Sequence, residues 1–146
     1  MTGLTRSTRA TLAVLLLAIG VPAPSAADPG SDPTGVRIFF MRWAIRTRRP
    51  MTPDDLVREH HAYVEIKDAY MARELVRWLR LDQLVPRPER APGDARLAIK
   101  IARADGSEET YYAAEDALYS ADSTRSREID AAFRSRFDFG KDPVKP

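Results

Sequence analysis

The sequence predicts an α+β domain in which two to three helices form a second layer on an antiparallel sheet of about four strands. Three observations support this prediction. Apolar, β-branched runs mark strands at 36–47, 62–66 and 95–114, an Asp-Gly pair divides the last run into a hairpin, and single apolar stripes mark the helices. A helix with one apolar stripe needs a sheet to cover, so a two-layer arrangement is expected.

The first strand is predicted over residues 36–47, because this run is rich in β-branched and aromatic residues and lacks Gly and Pro. Alternation along the strand places Val36, Ile38 and Phe40 on one face. The opposite face is also apolar and carries Phe39, Met41, Trp43 and Ile45. Two apolar faces are typical of a central strand that is covered on both sides.

Capping residues predict the first two helices. Thr52 followed by Pro53 and two acidic residues is a strong helix start, and this short helix is expected to end near His60. Asp68 caps a second helix over 69–81. Its apolar stripe is predicted to contain Met71, Leu75, Trp78 and Leu79.

A hairpin is predicted around the Asp-Gly pair at 105–106, which favours a two-residue type I′ turn. The register of this turn sets three pairs on one face, namely Leu97 with Ala114, Ile99 with Tyr112 and Ile101 with Thr110. Arg103 then lies opposite Glu108 as a cross-strand ion pair. Lys100 and Tyr111 fall on the other, more exposed face.

The C-terminal part is predicted to add one short strand and a last helix. Residues 117–120 alternate and suit the strand. The helix is expected over 126–137, with Ser126 as its N-cap. Its apolar residues are four apart and comprise Ile129, Phe133 and Phe137.

Residues 1–27 are predicted to be a cleavable secretory signal peptide. Arg6 and Arg9 precede an apolar run over 10–21, and small residues up to Ala27 complete the usual order. The run of about 12 residues is shorter than the roughly 20 that span a bilayer; an uncleaved N-terminal anchor is the alternative. Since no Cys stands at the cut and no twin-Arg pair precedes it, a Sec-type route to the periplasm or the exterior is expected, without a lipid anchor.

The remainder is predicted to be one domain, with a flexible lead-in at 28–35, the folded part at 36–139 and a frayed tail at 140–146. The chain contains no Cys, so it has neither a disulfide nor a Cys nucleophile. Without residues 1–27, basic and acidic residues are equal in number. The basic pI of the full sequence is therefore no indication of a nucleic-acid partner.

The candidate binding residues are arginines, aromatic residues and acids. The densest basic stretch surrounds Trp43 and consists of Arg42, Arg46, Arg48 and Arg49. Arg and exposed aromatic residues are typical of protein-binding surfaces, so Tyr111 is included as an outward residue of the hairpin. A second, acidic set is suited to entering a basic cleft and comprises Glu108, Glu109, Glu115, Asp116 and Asp122.

No catalytic or nucleotide-binding motif is present: the sequence has no Gly-x-Ser-x-Gly elbow, no Ser-x-x-Lys and no Gly-rich phosphate loop. His60 and His61 are the only histidines, and adjacent side chains point in different directions, which makes a poor chelate. A metal site would need both to be joined by nearby acids, namely Asp54, Asp55 or Glu59.

These observations predict a small exported protein-binding module. By class-level analogy it is an inhibitor or immunity-type protein that occludes a partner enzyme in the periplasm. No cofactor, metal or catalytic residue is expected, nucleic acid is not an expected partner, and an anionic envelope surface is a weaker additional contact. Two alternatives stay open: a small hydrolase or metal-dependent enzyme around His60 and His61, and an envelope-associated structural protein.

Overall fold

The computed structural model describes residues 31–87 and 93–138. These residues form an α+β fold with three helices and an antiparallel sheet, so the predicted fold class is confirmed, but the sheet has seven strands rather than about four. The strands are β1 (Pro33–Phe40), β2 (Ala62–Ile66), β3 (Val85–Pro86), β4 (Leu97–Arg103), β5 (Glu108–Ala113), β6 (Ala117–Ser120) and β7 (Arg125–Glu128). The helices are α1 (Pro53–Glu59), α2 (Ala69–Leu79) and α3 (Ala131–Arg136).

Two predicted segments, the signal peptide at 1–27 and the tail at 140–146, lie outside the described residues. Strand β1 begins at Pro33, within the stretch that was expected to be a flexible lead-in. None of the helices in the described ranges is long and apolar enough to cross a bilayer.

The sheet has the strand order β2-β1-β4-β5-β6-β7-β3, and every neighbouring pair is antiparallel. Both of its faces are covered over part of their area. One face, called here the α2 face, packs against α2 and α3 through a core that includes Ile38, Ile99, Leu79 and Phe133. The other, called the α1 face, packs against α1 through Leu56. Burial on both faces agrees with the two apolar faces predicted for β1.

The first two helices are confirmed, and local capping explains both. Thr52 and Asp55 form a capping box at the start of α1, and the Asp68 carboxylate accepts from the Met71 backbone N–H at 2.8 Å at the start of α2. Helix α2 ends at Leu79, where Arg80 adopts a left-handed conformation with φ 51°. Met71 was expected in the buried stripe, but it is exposed. The side of α2 that packs on the core instead carries Ala72, Leu75, Val76 and Leu79.

The strand predicted over 36–47 is wrong beyond Phe40. Phe40 pairs with Leu97, the first residue of β4, and with Ala62, the first residue of β2. Both neighbouring strands end there, and one more backbone bond follows, from the Met41 N–H to the Arg96 carbonyl at 2.8 Å. The chain then turns, with the Ile45 N–H donating to the Arg42 carbonyl at 3.1 Å. The turn moves Trp43 to the α2 face, where its ring lies 5.9 Å from that of Phe40.

The predicted register of the β4–β5 hairpin is wrong by one residue. Leu97 pairs with Ala113 rather than Ala114, because the turn has three residues, 104–106, instead of two, and is flanked by the Arg103 N–H donating to the Ser107 carbonyl at 2.9 Å. Within this turn only Gly106 has a positive φ, 83°, whereas a type I′ turn needs two such residues. A slip of one residue exchanges the faces of a strand. Tyr111 therefore lies on the α2 face and is half-buried instead of exposed.

The last helix starts later than predicted. Residues 126–128, expected at its start, belong to β7, which pairs with β6, while β3 pairs with the outer edge of β7. The N-cap is Asp130, not Ser126, and its carboxylate accepts from the Phe133 N–H at 2.8 Å. Phe133 and Phe137 are buried, as the four-residue spacing predicts.

Candidate binding groove

The predicted binding residues lie at opposite ends of the sheet. The segment 42–49, called here the basic loop, follows the end of β1 beside the start of β4. Glu108 and Glu109 pair with residues near the other end of β4, next to the hairpin turn. The two sets therefore do not form one surface.

Glu108 is engaged by the protein's own cations. Its carboxylate is bonded to the Arg37 guanidinium on β1 and lies 3.3 Å from Lys100 Nζ on β4. Although partial burial opposes it, the hydrogen bonds from these two cations hold the pKa of Glu108 below its ordinary value. This acid joins three strands and is not free to meet a partner's cleft.

Glu109 and Tyr111 also make internal contacts. Arg103 Nη2 donates to Glu109 Oε2 at 2.7 Å, and the Tyr111 hydroxyl donates to the same oxygen at 3.1 Å. Burial, followed by the nearby Glu109 charge, raises the pKa of Tyr111 to about 12. The prediction of Tyr111 as an exposed binding residue is wrong, because its ring packs on the core of the α2 face.

Arg49 of the basic loop is engaged in a salt bridge within the protein. It donates to both carboxylate oxygens of Asp55, each at 3.0 Å, and Arg58 donates to the same group at 2.8 Å. The Asp55 side chain is only 3% exposed. The Thr52 backbone N–H, then Arg49 and the Thr52 hydroxyl, hold the pKa of Asp55 far below its usual range. Arg49 therefore fixes the loop to the start of α1.

The two histidines follow the end of α1, and only His60 packs against other rings. The His60 ring lies 5.3 Å from that of Phe39 and 5.9 Å from that of Tyr63, and its Nδ1 is 3.1 Å from the Val57 carbonyl. His61 is exposed. In ranges 31–87 and 93–138, no three His, Asp or Glu side chains are grouped so that they could hold a metal ion.

An open groove of about 700 Å³ lies at the basic-loop end of the sheet. Three segments line it: the basic loop, the residues that lead into β4, and the β5–β6 connection. The charged and aromatic lining side chains are Trp43, Arg46, Asp94, Arg96, Glu115 and Asp116. The groove thus places two of the predicted arginine-stretch residues, Trp43 and Arg46, beside two of the predicted acids.

Asp94 holds the groove together. One carboxylate oxygen accepts from the Met51 N–H at 2.6 Å, and the other is bonded to Arg96 and lies 3.4 Å from the Thr47 hydroxyl. A Cβ at Gly93 would lie 2.8 Å from the Ala114 Cβ, so only glycine fits this close approach. These contacts fix the basic loop against the sheet.

Two hydrogen-bond donors in the groove lining are buried without an acceptor. They are the indole N–H of Trp43 and Nη1 of Arg96, and neither finds a partner in the part of the chain that the structure describes. The Arg96 side chain is 8% exposed, and only its Nη2 is bonded, to Asp94. Buried donors normally have a partner, and these two atoms lie beneath the surface of the groove and not on it.

The remaining arginines of the basic loop are exposed and unpaired. Among the described residues, the side chains of Arg42, Arg46 and Arg48 have no hydrogen bond, ion pair or ring contact. Most other described basic residues bond an acid or a carbonyl, or stack on a ring, as Arg136 does over Trp78 at 4.6 Å. The concentration of free guanidinium groups is therefore local to this loop.

Asp94 and Arg96 are not among the candidate residues that the sequence predicted. One signal was available: residues two apart in an extended segment face the same side, which places these opposite charges together. The acids of the predicted second set divide as well. Glu115 and Asp116 line the groove, whereas the Asp122 carboxylate accepts from the Ser120 hydroxyl at 2.6 Å within its own turn.

No protein-family model matches this chain, and no significant match was found among curated proteins or among solved structures. Chemically, the exposed charged groups of the groove are the Arg46 guanidinium and the Glu115 and Asp116 carboxylates, an arrangement suited to binding a polar ligand.

Proposed function

We propose that this chain is an exported protein-binding module that docks its basic loop on an acidic surface of a partner enzyme and occludes it. The observation that carries the proposal is the set of free guanidinium groups of Arg42, Arg46 and Arg48 beside the groove. Arginine makes planar, bidentate contacts to carboxylates and is enriched where protein interfaces bind tightly.

The electrostatics of the fold favour this end over the hairpin end. Glu108 and Glu109 already satisfy Arg37, Lys100 and Arg103, so a partner would have to displace internal bonds to use them. The free arginines of the basic loop could bind an acidic partner without breaking an internal bond. Its exposed charges would steer an acidic partner and raise the association rate at low salt.

Export is the second component of the proposal. It is supported by the positive, apolar and small-residue order of residues 1–27. An exported chain purified from its host should begin at Asp28, which an intact-mass measurement reads directly. A chain that retains residues 1–27 would contradict cleavage.

The experiment is affinity capture from periplasmic and secreted extracts, with the tagged chain as bait and mass spectrometry as readout. A charge-matched pair of variants decides which surface binds. In one, Arg42, Arg46 and Arg48 are all changed to Gln; in the other, Arg73 and Arg77 on α2 and Arg80 directly after it are all changed to Gln. We expect the first variant to lose about tenfold or more of its association rate and the second to bind as the original chain does.

Two further readouts make the result decisive. Binding should weaken with added salt, because the contact is between charges at the rim of an interface. The captured enzyme should lose activity in proportion to the bound chain. Equal capture by both variants would reject the basic loop as the contact surface, and an active enzyme in the complex would reject occlusion.

A further inference from the structure

The two edges of the sheet are built differently. Strand β3 forms one edge with only two residues, Val85–Pro86, and proline has no N–H to offer a further strand. Strand β2 forms the other edge with five residues, Ala62–Ile66, and none of them is proline. Among the described residues β2 pairs only with β1, so the backbone groups on its outer side have no strand partner there.

The side chains of β2 are also incompletely covered. Ala62, Val64 and Ile66 pack on the core of the α2 face but are only half-buried. On the opposite face Tyr63 is 45% exposed, and the exposed Glu65 carboxylate lies 3.3 Å from Lys67 Nζ. An exposed ion pair of this kind contributes little to stability. A strand added beside β2 would bury more of the apolar row and give Tyr63 a cross-strand neighbour.

Exposed apolar side chains are concentrated in this part of the sequence. In the described ranges, the large apolar residues that are exposed are Tyr63, Tyr70, Met71 and Val85. The first lies in β2, and the next two lie in the first turn of α2, which begins three residues after the strand ends. Concentrated exposed apolar residues, unlike scattered ones, indicate a contact surface.

The sequence of β2 is self-complementary in one register. When two copies of an edge strand pair around a two-fold axis perpendicular to the sheet, one residue lies opposite its own copy. An axis at Glu65 would place two carboxylates directly opposite each other, which is unfavourable. An axis at Tyr63 would pair only three of the five strand residues. An axis at Val64, the middle residue, pairs all five.

Pairing around Val64 suits both faces of the strand. On the α2 face, Ala62 lies opposite Ile66 of the second copy, so the half-buried apolar row continues from one sheet into the other. On the opposite face, Tyr63 lies opposite Glu65 of the second copy, and symmetry repeats this pair. A phenol hydroxyl can donate to a carboxylate, and no like charges are directly opposed.

We propose that β2 is a self-association edge, at which two copies of this chain pair β2 with β2 around Val64 and join their sheets into one. This contact is separate from the proposed function, because neither Tyr63 nor Glu65 belongs to the basic loop. A five-residue strand pair is small beside a standard interface of about 1,600 Å². The dimer is therefore weak, with a dissociation constant of about 10–100 μM.

Sedimentation velocity of the chain purified from its host measures this association between about 1 μM and 1 mM. We expect a reversible change from monomer to dimer across this range. Amide hydrogen exchange locates the contact, because N–H groups on the outer side of β2 should exchange more slowly as the concentration rises. The N–H groups of β3, at the other edge, should not change.

Two substitutions at Tyr63 test the register with a matched control. Tyr63→Glu and Tyr63→Lys both remove the ring that lies 5.1 Å from Phe39 and 5.9 Å from His60. They differ only in the charge set opposite Glu65 of the second copy, which is like in the first variant and opposite in the second. Tyr63→Glu should therefore bind its copy about tenfold more weakly than Tyr63→Lys, since each dimer contains the pair twice.

Two further variants complete the test. Adding Glu65→Lys to Tyr63→Glu reverses the opposed charge and should restore association. Val85→Glu at the β3 edge should leave association unchanged, because that edge is not the proposed contact. Urea denaturation of each variant verifies its fold, and amide exchange in the original chain remains decisive if a variant unfolds.

Three results would overturn the proposal. The first is a chain that stays monomeric up to about 1 mM. The second is equal association of Tyr63→Glu and Tyr63→Lys, which would place the dimer contact on another surface. The third is a monomer that captures a partner and loses it through Tyr63→Glu, which would assign the β2 edge to a strand of another protein.

Discussion

The two ends of the sheet use charge in opposite ways. At the hairpin end, Arg103 and Glu109 form a pair whose side chains are 7% and 14% exposed, and Glu108 joins Arg37 and Lys100. At the groove end, the side chains of Arg42, Arg46 and Arg48 are exposed and have no partner among the described residues. The first arrangement stabilises the fold, whereas the second leaves charge available for a partner.

This difference shows that the number of charged residues in a segment does not reveal their use. Both ends are rich in charge in the sequence, and both were considered as contact surfaces. What separates them is whether the fold brings an opposite charge within reach. Arg48 and Arg49 are neighbours in the same loop, yet Arg49 is bonded to Asp55 while the Arg48 side chain has no partner among the described residues.

The largest expected effect comes from the buried pair at the hairpin end. Arg103→Met removes the cation and leaves the Glu109 carboxylate, which is also bonded to Tyr111, with an uncompensated charge. We expect a loss of about 2–4 kcal/mol in the free energy of unfolding, because breaking one side of a buried pair is costly. Urea denaturation at neutral pH measures it.

The matched control is the exposed pair on the same end. The side chains of Arg37 and Glu108 are 43% and 36% exposed, so Arg37→Met should cost less than about 1 kcal/mol. The double variant Arg103→Met with Glu109→Leu should recover part of the stability lost by Arg103→Met alone. Equal losses from Arg37→Met and Arg103→Met would reject the distinction between buried and exposed pairs.

An effect of intermediate size is expected where the basic loop meets α1. The pKa of Asp55 is held well below its ordinary value of about 4 by the Thr52 N–H, Arg49 and the Thr52 hydroxyl. A depressed pKa gives stability that is present above the unfolded-state pKa and is lost as the pH falls. Asp55→Asn should therefore destabilise the protein at pH 7 and progressively less below about pH 4.

Urea midpoints measured between neutral and acidic pH test this prediction. Asp54→Asn is the control, because Asp54 is the exposed neighbour in the same helix turn. Some acid sensitivity should remain in the Asp55→Asn variant, since the pKa values of Glu108 and Asp122 are also lowered. A constant difference between wild type and Asp55→Asn across this range would show that the carboxylate charge is not what stabilises the loop.

The parts of the fold that the sequence predicted are those determined by near neighbours. Thr52 and Asp68 cap helices by bonding a backbone N–H three residues ahead, at 3.1 Å and 2.8 Å. A pattern of a few residues contains that information. The alternation of β1 likewise assigned Ile38 and Phe39 to opposite faces correctly.

The parts that failed depend on distant partners. Nothing in residues 125–128 reveals that β6 will pair with them, because all four are polar. In the hairpin turn only Gly106 has a positive φ, so the turn is not the two-residue type that the Asp-Gly pair predicted. The register therefore differs by one residue, which places Tyr111 on the α2 face. For the site, the exposure of Arg42, Arg46 and Arg48 agreed with expectation, but their freedom from ion pairs required the three-dimensional arrangement.

The smallest expected effect on stability is at the free arginines. Changing Arg42, Arg46 and Arg48 together to Gln removes no contact within the described residues, so the free energy of unfolding should change by less than about 0.5 kcal/mol. Arg49→Gln, in the same loop, should destabilise the protein more than all three changes combined, because it breaks both bonds to Asp55. Urea denaturation of the two variants compares them directly.

A stable triple variant also makes the binding experiment interpretable. Loss of partner capture with unchanged stability assigns the three guanidinium groups to recognition, because the fold does not require them. A triple variant that unfolds as readily as Arg49→Gln would mean that the loop arginines stabilise the protein themselves. The contrast between a paired hairpin end and a free groove end would then be lost, and the proposed contact surface with it.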